Sequence, residues 1–368
     1  MIESANGGRS SLVSELWRNI ETLNPAYFAL VMATGIVSVA SHLVGMSRLS
    51  LALFWFNIPA FAILVVFNAI RLIKYRKQFF ADLTDHKRGV GFFTAVAATC
   101  VLGSQCVLLV DLHSVAIALW CLGTVLWIVL TYTIFTSFAV KETKPSLAEG
   151  IHGGWLVSVV AVQSVSLLGG ILAEGFESYR EEVLFFSLAM WLKGGMLYIW
   201  IISLIFYRYT FFSMSPADLA PPYWINMGAM AISTLAGTTL ISAASDSTIL
   251  LPLLSFLKGF TLFFWATATW WIPMLVILGV WRHVYKRFRI IYDPQYWGAV
   301  FPLGMYTACT FRLAHAIDAP FLVIIPQYFI YIAISAWTLT FAGMMYSFVT
   351  VRAIGTGARQ GANGDPSS

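Results

Sequence analysis

The chain of 368 residues is 59% apolar and only 11% charged, with mean hydropathy +0.79 and a formal net charge of +5. A soluble domain carries about 25% charged residues, so a water-soluble enzyme or nucleic-acid-binding protein is excluded at the outset. Apolar runs of about 18 residues or more recur along the whole length, which is the signature of a polytopic membrane protein.

Taken in chain order, the first eleven residues are polar and lack the apolar core and small-residue cleavage site of a signal peptide. Residues 11–23, SLVSELWRNIETL, place Leu12, Leu16, Trp17, Ile20 and Leu23 on one helical face. That face suits an interfacial helix or a short lead-in packed on the protein. Ten spans are expected near 24–46, 49–73, 90–110, 114–140, 154–173, 183–207, 222–244, 250–281, 297–316 and 320–350. The chain therefore divides into a cytoplasmic or interfacial lead (1–23), a transport domain (24–350) and a disordered cytoplasmic tail (351–368). Cys100, Cys106, Cys121 and Cys309 all fall within spans, and no pair has metal-ligand spacing. They read as small buried hydrophobes, and neither a metal nor another cofactor is expected.

Of the 22 lysines and arginines, 17 fall on one side of this scheme and only Arg48 and Arg180 on the other, with Lys193, Lys258 and Arg312 inside spans. The positive-inside rule puts the basic side, and both termini, in the cytoplasm of a multi-pass protein of the cell membrane. The basic loop RLIKYRKQFFADLTDHKR is a topology signal that touches anionic lipid at most, not a nucleic-acid site.

Outer loops after spans 1, 3, 5, 7 and 9 are short, so the spans pair as five hairpins. Odd spans are rich in Gly, Ala, Ser, Thr and Pro, as in NPAYFALVMATGIVSVAS; even spans are bulkier. Spans 6 and 8 share a register, MWLKGGMLYIWIISLIFYRY against SFLKGFTLFFWATATWWIPM, an internal repeat of one hairpin. Small residues let helices approach closely, and bent, polar-dotted helices survive in a bilayer only where they line a cavity or are buried in protein. The expected fold is all-α: an inner ring of bent odd helices around a central pore, and an outer ring of even helices facing lipid. The small or hydroxylated positions Thr34, Gly35, Thr99, Gly103, Ser158, Thr234, Gly237 and Thr238 are the candidate pore lining. Span 9 carries Phe301-Pro302-Leu303-Gly304, helix-weakening residues beside a ring, which fits a helix that faces the pore.

Lys193, Lys258 and Arg312 have no carboxylate near them at any expected midplane, and an intramembrane cation marks a pathway by default. Half-helix N-termini at bends favour anions as well. The expected cargo is a small inorganic or organic anion, with these three cations as candidate binding groups. The duller alternatives are lysines that cap carbonyls in the inner ring and an arginine that snorkels. His152, in EGIHGGW, reads as a surface histidine or a protonation switch.

NPAYFALVMATGIVSV in span 1, IHGGWLVSVVAV in span 5 and YWGAVFPLGMYTA in span 9 together resemble one family over about residues 22–350. It contains the tellurite-resistance protein TehA, the plant guard-cell slow anion channels, the yeast sulfite efflux pump and the malic acid/C4-dicarboxylate transporters. The resemblance implies five quasi-symmetric hairpins around a pore, a homotrimer, and an aromatic gate at Phe301 shaped by Pro302 and Gly304. By composition alone Phe301 reads as a packed core residue. Span 5 lacks the prolines that follow its tryptophan in many carriers, and span 7 lacks the Gly-Pro step of the malate branch, so the substrate stays open. An anion channel and a carrier or efflux pump for C4-dicarboxylate, sulfite or tellurite-like oxyanions, with or without proton coupling, both fit. A membrane enzyme or sensor fits worse, because no paired carboxylates or nucleophile–base set lies in the spans.

Overall fold

The computed structural model of the protein describes residues 17–360, with side chains as far as Ser347. The face built on Leu12 and Leu16 and the chain beyond Gln360 lie outside the described residues. Those described are helical, without strands. Ten long helices run in chain order: α1 (Ala29–Leu43), α2 (Ser47–Lys74), α3 (Phe93–Val110), α4 (His113–Val140), α5 (Val157–Leu172), α6 (Arg180–Phe211), α7 (Ile225–Ala243), α8 (Leu254–Val280), α9 (Trp297–Ala316) and α10 (Ile324–Gln360). By length and hydropathy eight stretches can cross a membrane, and one of them, Gly153–Phe211, contains both α5 and α6 joined through a kink at Phe176 and Glu177. The α9 segment is not among the eight, because Arg312, Pro302 and its polar residues lower its hydropathy.

The packing sorts the helices into two classes. α1 packs on α3, α3 on α5, α5 on α7, α7 on α9, and α9 back on α1; each also packs on the helix that follows it. The richest apolar window of Pro25–Leu43 is 78% buried inside the protein and that of Pro221–Asp246 is 89% buried, against 28% for Ser47–Lys74 and 22% for His113–Val140. The small residues of the odd helices are thus spent on mutual contact, while the even helices expose Trp55, Ile73, Trp200, Ile277 and Leu339. Apolar surface of this extent on one side of a helix layer marks contact with lipid. Cys100, Cys106 and Cys309 are buried, but Cys121 lies on the exposed face of α4, because the buried stripe there runs through Ala116, Gly123 and Trp127.

Two repeated devices hold the layers in register. In the first, each even helix donates a side-chain N–H to the odd helix beyond its own neighbour. Asn57 Nδ2 donates to Gln105 Oε1 at 2.8 Å. Indoles make the other four links: Trp120 to the Val165 carbonyl at 3.0 Å, Trp191 to the Ser233 carbonyl at 2.8 Å, Trp265 to Thr310 Oγ1 at 3.0 Å, and Trp337 to Thr34 Oγ1 at 2.9 Å. A buried indole N–H needs such a partner, and here the partner is always on the next unit of the ring.

In the second device, a cation at the end of an even helix reaches back to a carbonyl ahead of the preceding odd helix. Arg71 Nε donates to the Glu21 carbonyl at 3.0 Å, Lys141 Nζ to the Thr84 carbonyl at 3.0 Å, and Arg208 Nη1 to the Ile151 carbonyl at 2.9 Å. The two arginines also pair with an aspartate farther along the chain, Arg71 with Asp82 and Arg208 with Asp218, and Arg208 donates to the Tyr223 hydroxyl.

Candidate functional site

Each odd helix is led by a 3-10 turn: Pro25–Phe28, Gly89–Phe92, Gly153–Leu156, Pro221–Trp224 and Pro294–Tyr296. Proline in the first turn costs nothing, since its missing N–H would be unpaired anyway. Three of the turns are capped by side chains. Asn24 Oδ1 accepts from the Ala26 N–H at 3.0 Å, Asp293 Oδ1 from the Gln295 N–H at 2.7 Å, and His152 Nδ1 from the Gly154 N–H at 3.1 Å.

The five leads converge on one cavity of about 200 Å³, lined by residues from every odd helix or its lead, among them Met32, Thr94, Val157, Ile225 and Gly298. Its polar wall includes Asn24, Lys87, Arg88, His152 and Gln295. Arg88 is already engaged, 2.7 Å from Asp82 and donating to the Leu23 carbonyl. The Lys87 side chain is exposed and has no ion pair or hydrogen bond among the described residues. His152 is half-buried rather than on the surface. Burial holds its pKa down at about 4, with the Arg208 and Lys87 charges adding to the effect against an opposing contact with the Lys87 backbone. The ring is therefore neutral at physiological pH. Because Nδ1 accepts from Gly154, the proton sits on Nε2, which is buried without a hydrogen-bond partner of ordinary geometry. Five helix N-termini and a free ammonium make this cavity a place for negative charge.

The faces of α9 follow from its contacts. The Pro302 ring meets Gly228 of α7, where a Cβ would stand 2.6 Å from Pro302 Cγ; Gly304 meets Ile36 and Val37 of α1, where a Cβ would find atoms at 3.0–3.2 Å. Gly228 makes room for the Pro302 ring and Gly304 lets α1 come close, along a helix that runs unbroken through Pro302. Ala299 and Val300 face a groove shared with Ala336 of α10. At about 100° per residue, the arc between the α7-facing and α1-facing sides carries Gly298, Phe301 and Met305. Gly298 lines the cavity, so Phe301 lies one turn deeper on the same side. It is 0% exposed.

The other candidates lie elsewhere. Lys193 is exposed on α6, its Nζ 5.5 Å over the Trp127 ring; Gly194 beside it faces Gln163 of α5, which turns position 193 away from the inner ring. Lys258 is half-buried on α8 and Arg312 exposed on α9, and neither lines the cavity. Thr34 is taken by Trp337, while Thr99, Ser158, Thr234 and Thr238 donate to the carbonyls of Ala95, Trp155, Met230 and Leu235. Gly35, Gly103 and Gly237 sit against Val101, Leu168 and Thr261. These residues are buried in helix contacts.

Residues 22–345 match the family described as voltage-dependent anion channel. This chain belongs to that family. It is 37% identical over 150 residues to an uncharacterized membrane protein of Mycobacterium tuberculosis, covering 41% of this chain and 76% of that one. It is 24% identical over 300 residues to an uncharacterized transporter of Methanocaldococcus jannaschii, covering 79% of this chain and 84% of the relative. It is 21% identical over 356 residues to a sulfite efflux pump of Trichophyton rubrum, covering 91% and 93%. Members of the anion-channel family are channels or transporters rather than enzymes. Within this member, Lys87, Arg88, Asn24 and Gln295 are the cavity residues that sequence reasoning passed over; the signal that could have found them is their position just ahead of odd spans that share one ring.

Proposed function

We propose that the chain carries small anions across the cell membrane through a pore on the axis of α1, α3, α5, α7 and α9, entered at the basic cavity and gated by the Phe301 ring. The observation that carries this reading is that a cavity ringed by five helix N-termini ends one turn short of a buried phenylalanine on the same helix face. An anion would gather at Lys87 and the positive helix ends, shed part of its water there, and pass only when the ring moves, since an apolar plug blocks ions by both bulk and dewetting.

In this reading the chain crosses the membrane ten times as five hairpins, with both ends in the cytoplasm. The burial contrast between odd and even helices and the split of 17 basic residues against two support it. Cysteines placed at Phe80 and Gln360 resist a membrane-impermeant reagent on intact cells, while those at Glu177 and Asp246 react; labelling at position 80 from outside overturns the topology.

Flux through liposomes holding the purified protein tests the function, with chloride, nitrate, sulfite, malate and succinate compared with and without an imposed pH gradient. Downhill flux indifferent to the gradient marks a channel. Lys87→Gln lowers the rate about threefold at low ionic strength and less at high salt, because a rim charge acts by local concentration and is screened. Absence of anion flux, or a Lys87 variant equal to wild type at low salt, defeats the proposal. A proton-linked carrier or oxyanion efflux pump is the second reading, favoured by the likeness to fungal sulfite efflux pumps; flux that follows the pH gradient selects it.

A further inference from the structure

Of the three clasps described above, the two made by arginine carry an aspartate, and a further arginine with the same spacing goes without one. Arg71 precedes its aspartate by 11 residues and Arg208 by 10. At the end of α8, Arg282 precedes Asp293 by the same spacing, yet Asp293 caps Gln295 instead. Among the described residues Arg282 forms no ion pair and no side-chain hydrogen bond, and its Nε is buried without a partner. The guanidinium lies 4.5 Å over the Phe288 ring, and the Phe288 N–H donates to the Arg282 carbonyl at 3.0 Å. It stands on a turn of π-helix, Trp281–Tyr285, a local widening often found where a helix is shaped for a ligand.

Two residues past Phe288 the chain becomes a wall of the groove between α9 and α10. This groove encloses about 910 Å³ and is lined by Ile290, Ile291, Val300 and Leu339. Ile290, Ile291 and Leu339 are 71–73% exposed, so the trough opens on the face turned to lipid. Lys286, Arg287 and Arg289, just ahead of Ile290 in the chain, are exposed and without ion pairs among the described residues. Asp293 is the acid nearest in the chain. The result is an arginine deprived of the partner its counterparts have, at the head of an apolar trough, on the basic side of the protein.

We infer that an anionic phospholipid binds here, its phosphate on Arg282 in the place an aspartate occupies in the other two clasps and one acyl chain along the groove. Guanidinium and phosphate match in charge and bidentate geometry. A free phosphate would leave the trough unused. A zwitterionic lipid brings a quaternary ammonium into a field of four cations, so a lipid with net negative charge is preferred. The site rests on the membrane placement proposed above but not on transport.

The full chain, reconstituted in nanodiscs of equimolar phosphatidylglycerol and phosphatidylcholine and released for native mass spectrometry, retains phosphatidylglycerol in preference. Arg282→Gln lowers that preference about fivefold, whereas Lys286→Gln changes it by less than about twofold. Leu339→Trp, at an exposed position that leaves the core untouched, fills the trough and removes the bound lipid. Equal retention of the two lipids by wild type, or wild-type retention by folded Arg282→Gln or by Leu339→Trp, overturns the assignment. The readout is bound mass, so its failure is distinct from a failure of anion flux.

Discussion

Phe301→Ala, at the proposed gate, raises anion conductance on the order of tenfold in planar bilayers or oocytes, because in that reading truncation removes the plug while Pro302 and the helix that carries it stay. The contrary expectation is equally concrete. A phenylalanine that merely fills a core costs about 3–5 kcal/mol when cut to alanine, so its loss would lower yield and melting temperature and leave flux per folded molecule unchanged. Conductance normalised to monodisperse protein separates the two. Pro302 and Gly304 serve as internal controls. Both contact neighbouring helices, so Gly304→Val is expected to reduce folding through a clash with Ile36 and Val37 without raising conductance.

Asp82→Asn destabilises the protein by about 3 kcal/mol, read as a drop in melting temperature in detergent. Its Arg71 partner is buried, with 2% side-chain exposure, and would be left short of a charge partner at the point where Arg88 also converges. Asp218→Asn is the comparison. That carboxylate is 38% exposed, and its ion pair is worth under about 1 kcal/mol. Equal shifts for the two variants would mean that the clasps contribute through backbone contacts rather than through buried charge.

How much of this is legible in the chain differs by layer. The split between small-residue and bulky spans identifies which helices are buried, because close backbone approach demands Gly, Ala, Ser and Thr whatever else happens. Positions around each helix are harder. Thr34, Thr99 and Thr234 have the composition of a pore lining, yet which arc of a helix faces the axis depends on neighbours such as Trp337 and Gly123 that sequence spacing does not place. Lys193 and Lys258 attract notice as charges in apolar runs, but a cation on an outer helix can rest on a ring such as Trp127 and face outward. Lys87 reads as one more basic loop residue. Its significance comes from the convergence of five helix starts separated by up to 270 positions, a tertiary fact. The indole links are likewise silent in the sequence, since tryptophan is expected at membrane interfaces for other reasons.

An open chain that closes into a ring must have a seam. Consecutive odd helices up to α9 are tied through the backbone of the intervening even helix, but α9 and α1 meet at opposite ends of the polypeptide, joined by side-chain packing at Gly304, Ile36 and Val37 and by the Trp337–Thr34 bond one layer out. That joint borders the helix bearing Phe301, so the one place in the ring held by packing alone and the proposed plug share one element.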